Sequence, residues 1–98
     1  RYTPVEDTKG KLVGLVTARL LLRNYIKNKS NPKKTTLVSE IMIQNPITVT
    51  QDTNILDAMK LMKDNKIGCL PVVNGDELVG LISETEFLRI TARLLNRV

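Results

Sequence analysis

The sequence predicts an α+β fold, a β-α-β-β-α unit packed on a partial β-β-α unit, and three observations predict it. First, KLVGLVTARLLLR at 11–23 returns at 77–89 as ELVGLISETEFLR. At an offset of 66, Leu12-Val13-Gly14-Leu15 meets Leu78-Val79-Gly80-Leu81, Thr17 meets Ser83, and Leu22-Arg23 meets Leu88-Arg89. Second, Pro4-Val5 meets Pro71-Val72 at an offset of 67, so the one-residue slip falls where turns are written. Those turns are Asp7-Thr8-Lys9-Gly10 in the first copy and Asn74-Gly75, a two-residue hairpin signal, in the second. A length change inside a turn leaves both strands in register, which argues for a true internal repeat. Third, Ile55, Ala58, Met59 and Met62 fall at i, i+3, i+4 and i+7, an amphipathic helix with no counterpart ahead of the first copy. The chain therefore holds about one and a half units.

In order, residues 2–6 and 11–16 read as a hairpin. A helix follows from Ala18 to Lys27, with Leu21, Leu22, Tyr25 and Ile26 spaced for one apolar face. It stops in NKSNP, where Pro32 and its polar neighbours break it. LVSEIMI is a short helical turn, Asn45-Pro46 a turn, and ITV at 47–49 a short strand. Asp52, Thr53 and Asn54 are all good caps for the next helix. Leu56 widens its apolar stripe, and its methionines read as gap-filling core residues. Strands at 69–73 and 77–82 precede a last helix from Glu84. Phe87, Ile90 and Leu94 form that helix's apolar stripe, with Leu88 and Leu95 beside it. Arg89, Arg93 and Arg97 lie four apart on a basic face, either solvated or a docking surface. The expected organisation is a first half-repeat over 1–30, a linker over 31–37 and a complete repeat over 38–98.

Composition removes several classes of function. His and Trp are absent, so the commonest general base and metal ligand are missing. Cys69 is the one cysteine, which makes no internal disulfide, builds no zinc site and fits a reducing, cytoplasmic setting. There is no apolar run of about 20 residues, so no membrane span and no membrane contact by this segment is expected. The net charge of +5 is spread out, and its densest run, KNKSNPKK, reads as a solvated linker. Two tyrosines are too few for base-stacking platforms, so no nucleic-acid partner is expected. An enzyme is not expected. The opening RYTPVED reads as a strand already in progress, which suggests a fragment of something longer.

Residues 38–89, VSEIMIQNPITVTQDTNILDAMKLMKDNKIGCLPVVNGDELVGLISETEFLR, resemble a complete CBS domain, the module named after cystathionine β-synthase. RYTPVEDTKGKLVGLVTARLLLR, 1–23, resembles the back half of another. The resemblance rests on an ordered set of elements: IM and NP-I-T-V, the amphipathic helix with Ala58 and Met62, L-P-V-V, then L-V-G-L-I-S. It implies paired repeats, a regulatory role, and binding of AMP, ADP, ATP or S-adenosylmethionine in clefts between them. It further implies control of a host enzyme or transporter domain. In the family a Gly-h-h-[Ser/Thr]-x-x-Asp stretch holds the ligand, the hydroxyl near phosphate and the carboxylate on the ribose. Here Gly80, Ser83 and Glu86 fill those places, with Glu for Asp. In the first copy Gly14 and Thr17 match, but Leu20 stands where the carboxylate belongs.

The candidate nucleotide site is thus Thr48, Ile67, Gly68, Leu70, Pro71, Ser83 and Glu86, with a weaker first site at Pro4 and Thr17. A bland reading stands beside it. Ser83-Glu84-Thr85-Glu86 is also a capping box, in which Ser83 and Glu86 serve only the helix. Gly68 and Gly80 either admit a ligand or relieve packing. The alternative to a nucleotide sensor is a ligand-free dimerisation or interaction module. The uncovered face and edge of the half unit predict a homodimer.

Overall fold

A computed structural model describes residues 2–96, the side chains of Leu94 and Asn96 apart. The expected places of Leu94 in an apolar stripe and of Arg97 on a basic face lie outside the described residues. The chain divides into two compact units, Arg1–Pro46 and Ile47–Val98.

In the first unit β1 (Tyr2–Glu6) and β2 (Leu12–Thr17) form an antiparallel hairpin. Asp7 organises its turn: one carboxylate oxygen accepts the N–H groups of Lys9 and Lys11, both at 2.9 Å. Gly10 takes a φ of +82°, which a side chain would resist. Helix α1 (Ala18–Lys27) follows directly, and Thr17 Oγ1 accepts the N–H of Leu20 at 3.2 Å as its cap.

The chain then runs through α2 (Val38–Ile41) to β3 (Ile43–Gln44), which pairs antiparallel with β2, Gly14 opposite Gln44 and Leu15 opposite Ile43. The sequence repeat beginning at 38 and the packing unit beginning at Ile47 therefore start at different residues. The physical reason is the β2 edge, whose free backbone groups are satisfied by β3 rather than left open.

In the second unit α3 (Ile55–Asn65) is capped by Asn54, whose side chain accepts the N–H of Leu56 at 2.8 Å. Lys66 ends it in a left-handed conformation, and Ile67 N–H closes the turn on Met62 O at 3.0 Å. Strands β4 (Cys69–Asn74) and β5 (Glu77–Ser83) pair antiparallel, and α4 (Glu84–Asn96) follows. The tight turn is Gly75-Asp76, one residue later than the Asn-Gly signal implies, with Gly75 at φ +64°. Glycine at the first central position supplies the conformation this turn requires.

The pairing reproduces the sequence repeat. Pro4 faces Leu15 as Pro71 faces Leu81, and both hairpins shift register after the following valine, at Val5/Glu6 and Val72/Val73. The expected strand at 47–49 is reduced to one parallel bridge, Val49 beside Val72. Val49 donates to Pro71 O at 3.0 Å and accepts from Val73 N–H at 2.8 Å. Pro46, without an N–H, and the turn from Thr50 to Thr53 leave no room for a longer ladder.

Val49, Ala58, Met62 and Leu70 form the second unit's core, with Leu61, Ile67, Val72, Ile82 and Phe87 against it. The buried seam of α3 is Ala58-Leu61-Met62. Ile55, Leu56 and Met59, expected in that stripe, are exposed. Helix α1 departs further from expectation. Its half-buried side is Leu20, Asn24 and Asn28, whereas Leu21, Leu22, Tyr25 and Ile26 all lie in water. No equivalent of α3 stands among the described residues of the first unit to receive them.

Candidate functional site

The candidate residues of the second repeat cluster around the N-terminal end of β4, the C-terminal end of β5 and the first turn of α4. Cross-strand partners share a face of the sheet. Leu70 opposite Ile82 and Val72 opposite Gly80 point to the core; alternation sends Cys69, Pro71 and Ser83 to the other face. Leu70 is fully buried in the core cluster and offers a ligand its backbone only, whereas Ile67 packs against that cluster with part of its side chain accessible. Thr48, which precedes the bridging Val49, is exposed.

Gly68 joins the two halves of this cluster, because its carbonyl accepts the N–H of Glu84 at 3.0 Å. That bond fixes the start of α4 against the approach to β4. It also occupies one of the four free amides that a helix N-terminus would turn toward an anion.

Ser83 is half-buried, and its hydroxyl makes no hydrogen bond to any described residue. The capping box open to Ser83 and Glu86 is therefore not formed. Glu86 is half-exposed and leans along its own helix to Arg89, at 3.6 Å. Such an exposed pair at i, i+3 is worth at most about 0.5 kcal/mol, so it leaves the carboxylate available. Glu84 and Glu86 put negative charge in the first turn of α4, which suits the helix dipole.

The first copy differs at each point. Thr17 is committed to its cap, Leu20 is half-buried, and Pro4 sits half-buried in β1. The two equivalent glycines differ as well. A Cβ on Gly80 would meet only Val72 Cβ, at an ordinary 3.9 Å, so Gly80 is not held open by packing. A Cβ on Gly14 would overlap the Met42 thioether and lie 3.1 Å from the Ile43 carbonyl oxygen. Sequence reasoning missed this role of Gly14. The nearest signal was Met42, in the short helical turn.

Cys69 faces Ser83 across the hairpin, and burial pushes its thiol above the ordinary range. Among the described residues no group of His, Cys, Asp or Glu could hold a metal ion, and no helix is long and apolar enough to cross a membrane.

Residues 38–93 match the family model described as CBS domain. An uncharacterized protein of Methanocaldococcus jannaschii is 36% identical over 90 residues, covering 91% of this chain. The chain spans 21% of that relative. Among solved structures, CBSX2 in complex with AMP is 28% identical, with a TM-score of 0.77 over 95% of this chain and 72% of that one. The CBS domain pair of protein MJ0100, in complex with 5′-methylthioadenosine and S-adenosyl-L-methionine, is 29% identical with a TM-score of 0.76. That match covers 93% of this chain and 69% of the other.

Proposed function

This chain belongs to the CBS domain family, and from that premise we propose that it senses adenosine-containing ligands and controls an attached host domain. One observation carries the reading. Of the two equivalent hydroxyls, Thr17 is committed to a helix cap while Ser83 is uncommitted, three residues before the available carboxylate of Glu86. Glu86 takes the ribose hydroxyls, Ser83 the 5′ substituent, and Thr48 with the backbone of Ile67, Gly68, Leu70 and Pro71 the base. Pro4 and Thr17 make at most a weaker second site, since a leucine at position 20 accepts no hydrogen bond from ribose. Leaving such a polar group unpaired costs about 1–3 kcal/mol.

Similar structures support the ligand class, because those proteins hold AMP, methylthioadenosine and S-adenosylmethionine. The ligand shifts the balance between two arrangements of the module, and the host reads that shift. No catalytic role is assigned. A reducing, cytoplasmic compartment suits the free, buried Cys69.

A second reading has its own observation. Leu88, Ile90 and Leu95 of α4 are exposed among mixed charges, a surface suited to self-association. We propose that the homodimer expected from the half unit also uses this face, and a module that only dimerises would need no ligand.

The test is calorimetric titration of this chain with AMP, ADP, ATP and S-adenosylmethionine, beside Glu86→Ala. Micromolar binding that disappears in the variant is the expected result. Heat that survives Glu86→Ala would move the site elsewhere, and no heat with any of the four would leave the interaction module.

A further inference from the structure

The two repeats differ most in charge where the hairpin gives way to the helix. After Thr17 the first turn of α1 reads Ala18-Arg19-Leu20 and holds no acidic residue. After Ser83 the first turn of α4 reads Glu84-Thr85-Glu86 and holds two. The acidic pair thus accompanies the uncommitted hydroxyl, not the one that caps its helix. Residues two apart on a helix leave it about 200° apart, so the two carboxylates flank the end of α4 from nearly opposite sides. Both glutamates are exposed. Glu86 is partly offset by Arg89 at 3.6 Å, whereas Glu84 has no ion pair among the described residues. Lys66, two residues before Gly68, is exposed and pairs with neither glutamate.

A helix N-terminus holds an anion through its free N–H groups. Here the N–H of Glu84 is spent on the Gly68 carbonyl, and two negative charges stand beside those that follow. A 5′ phosphate at Ser83 would gain a hydroxyl donor but meet both carboxylates, and each further phosphate would add to the repulsion. A 5′ sulfonium carries positive charge, and both carboxylates would attract it. Glutamates that served only the helix dipole would act alike on every ligand. Resting on the sensor reading above, we propose that the Ser83 site selects adenosyl ligands by the charge of their 5′ group. It takes S-adenosylmethionine ahead of the phosphorylated nucleotides, and Glu84 is the residue that rejects phosphate.

Calorimetric titration of the whole chain, without divalent cations, tests the proposal. S-adenosylmethionine is expected to bind at least about tenfold tighter than ATP, with 5′-methylthioadenosine, which is uncharged, between them. Raising the salt to ~0.5 M should weaken S-adenosylmethionine, tighten ATP and leave methylthioadenosine unmoved. Glu84→Gln should lower the ratio of the two charged ligands at least about threefold, partly by tightening ATP. Glu84 is exposed and unpaired among the described residues, so circular dichroism of the variant should match the parent. AMP or ATP binding as tightly as S-adenosylmethionine overturns the proposal and leaves the sensor reading standing. So does a ratio that neither salt nor Glu84→Gln changes. No binding of any of these ligands overturns the sensor reading, and this proposal with it.

Discussion

The carbonyl oxygen of Gly68 accepts the backbone N–H of Glu84 at 3.0 Å, joining the approach to β4 to the first residue of α4. Proline suits the first position of a helix, and Ser83 before it is already extended. Glu84→Pro therefore removes this one bond with little steric penalty. It should cost about 1 kcal/mol in denaturant unfolding. It should also weaken any ligand bound at Ser83 and Glu86, measured by the same titration as for the parent.

Thr17 and Ser83 separate stability from binding. Thr17→Ala removes a helix cap and should cost about 1 kcal/mol. Ser83→Ala removes a hydroxyl without a partner and should stay within about 0.5 kcal/mol of the parent, yet abolish binding of the adenosyl ligand. Equal thermal losses in the two variants would mean that Ser83 caps α4 in solution.

The equivalent glycines should respond oppositely. Gly14→Ala forces a methyl group onto Met42 and the β3 backbone and should cost about 1–3 kcal/mol. Gly80→Ala adds an ordinary contact with Val72 and should change stability by less than about 0.5 kcal/mol. Met42→Ala in the Gly14→Ala background should recover part of the loss, and the double-mutant cycle measures how much.

Burial raises the thiol of Cys69, with a consequence in alkaline solution. The unfolded thiol loses its proton at its ordinary pKa, while the folded one keeps it to higher pH. Between those two values the unfolded state binds fewer protons, so stability falls as pH rises. The contribution is fully present below the ordinary thiol range. Melting temperature should therefore decline more steeply above about pH 9 than in Cys69→Ala. Parallel curves for the two proteins would remove Cys69 from the effect.

The hairpins, their register and the helices that follow were legible in the sequence. The repeat fixed them twice, at Pro4 opposite Leu15 and at Pro71 opposite Leu81, and a strand has only two faces to choose between. Gly80, Ser83 and Glu86 were legible as candidates only through their resemblance to the family's pattern, which is local along the chain. What each does was not legible. S-x-x-E is written alike whether it caps a helix or serves a ligand, and only the placement of side chains distinguishes the two.

The sequence by itself determined the α+β class and the internal repeat, because both depend on periodicity or on spacing within a few turns, while the candidate residues came through its resemblance to a CBS domain. Tertiary structure decided four further points. Ile43–Gln44 closes the edge of β2, Gly14 is covered where Gly80 is open, Ser83 is uncommitted where Thr17 is not, and the apolar stripe of α1 faces water. Each depends on which distant segment lies against a surface. A helix shows in its own residues that it has an apolar side, but whether anything covers that side depends on other parts of the chain or on a partner.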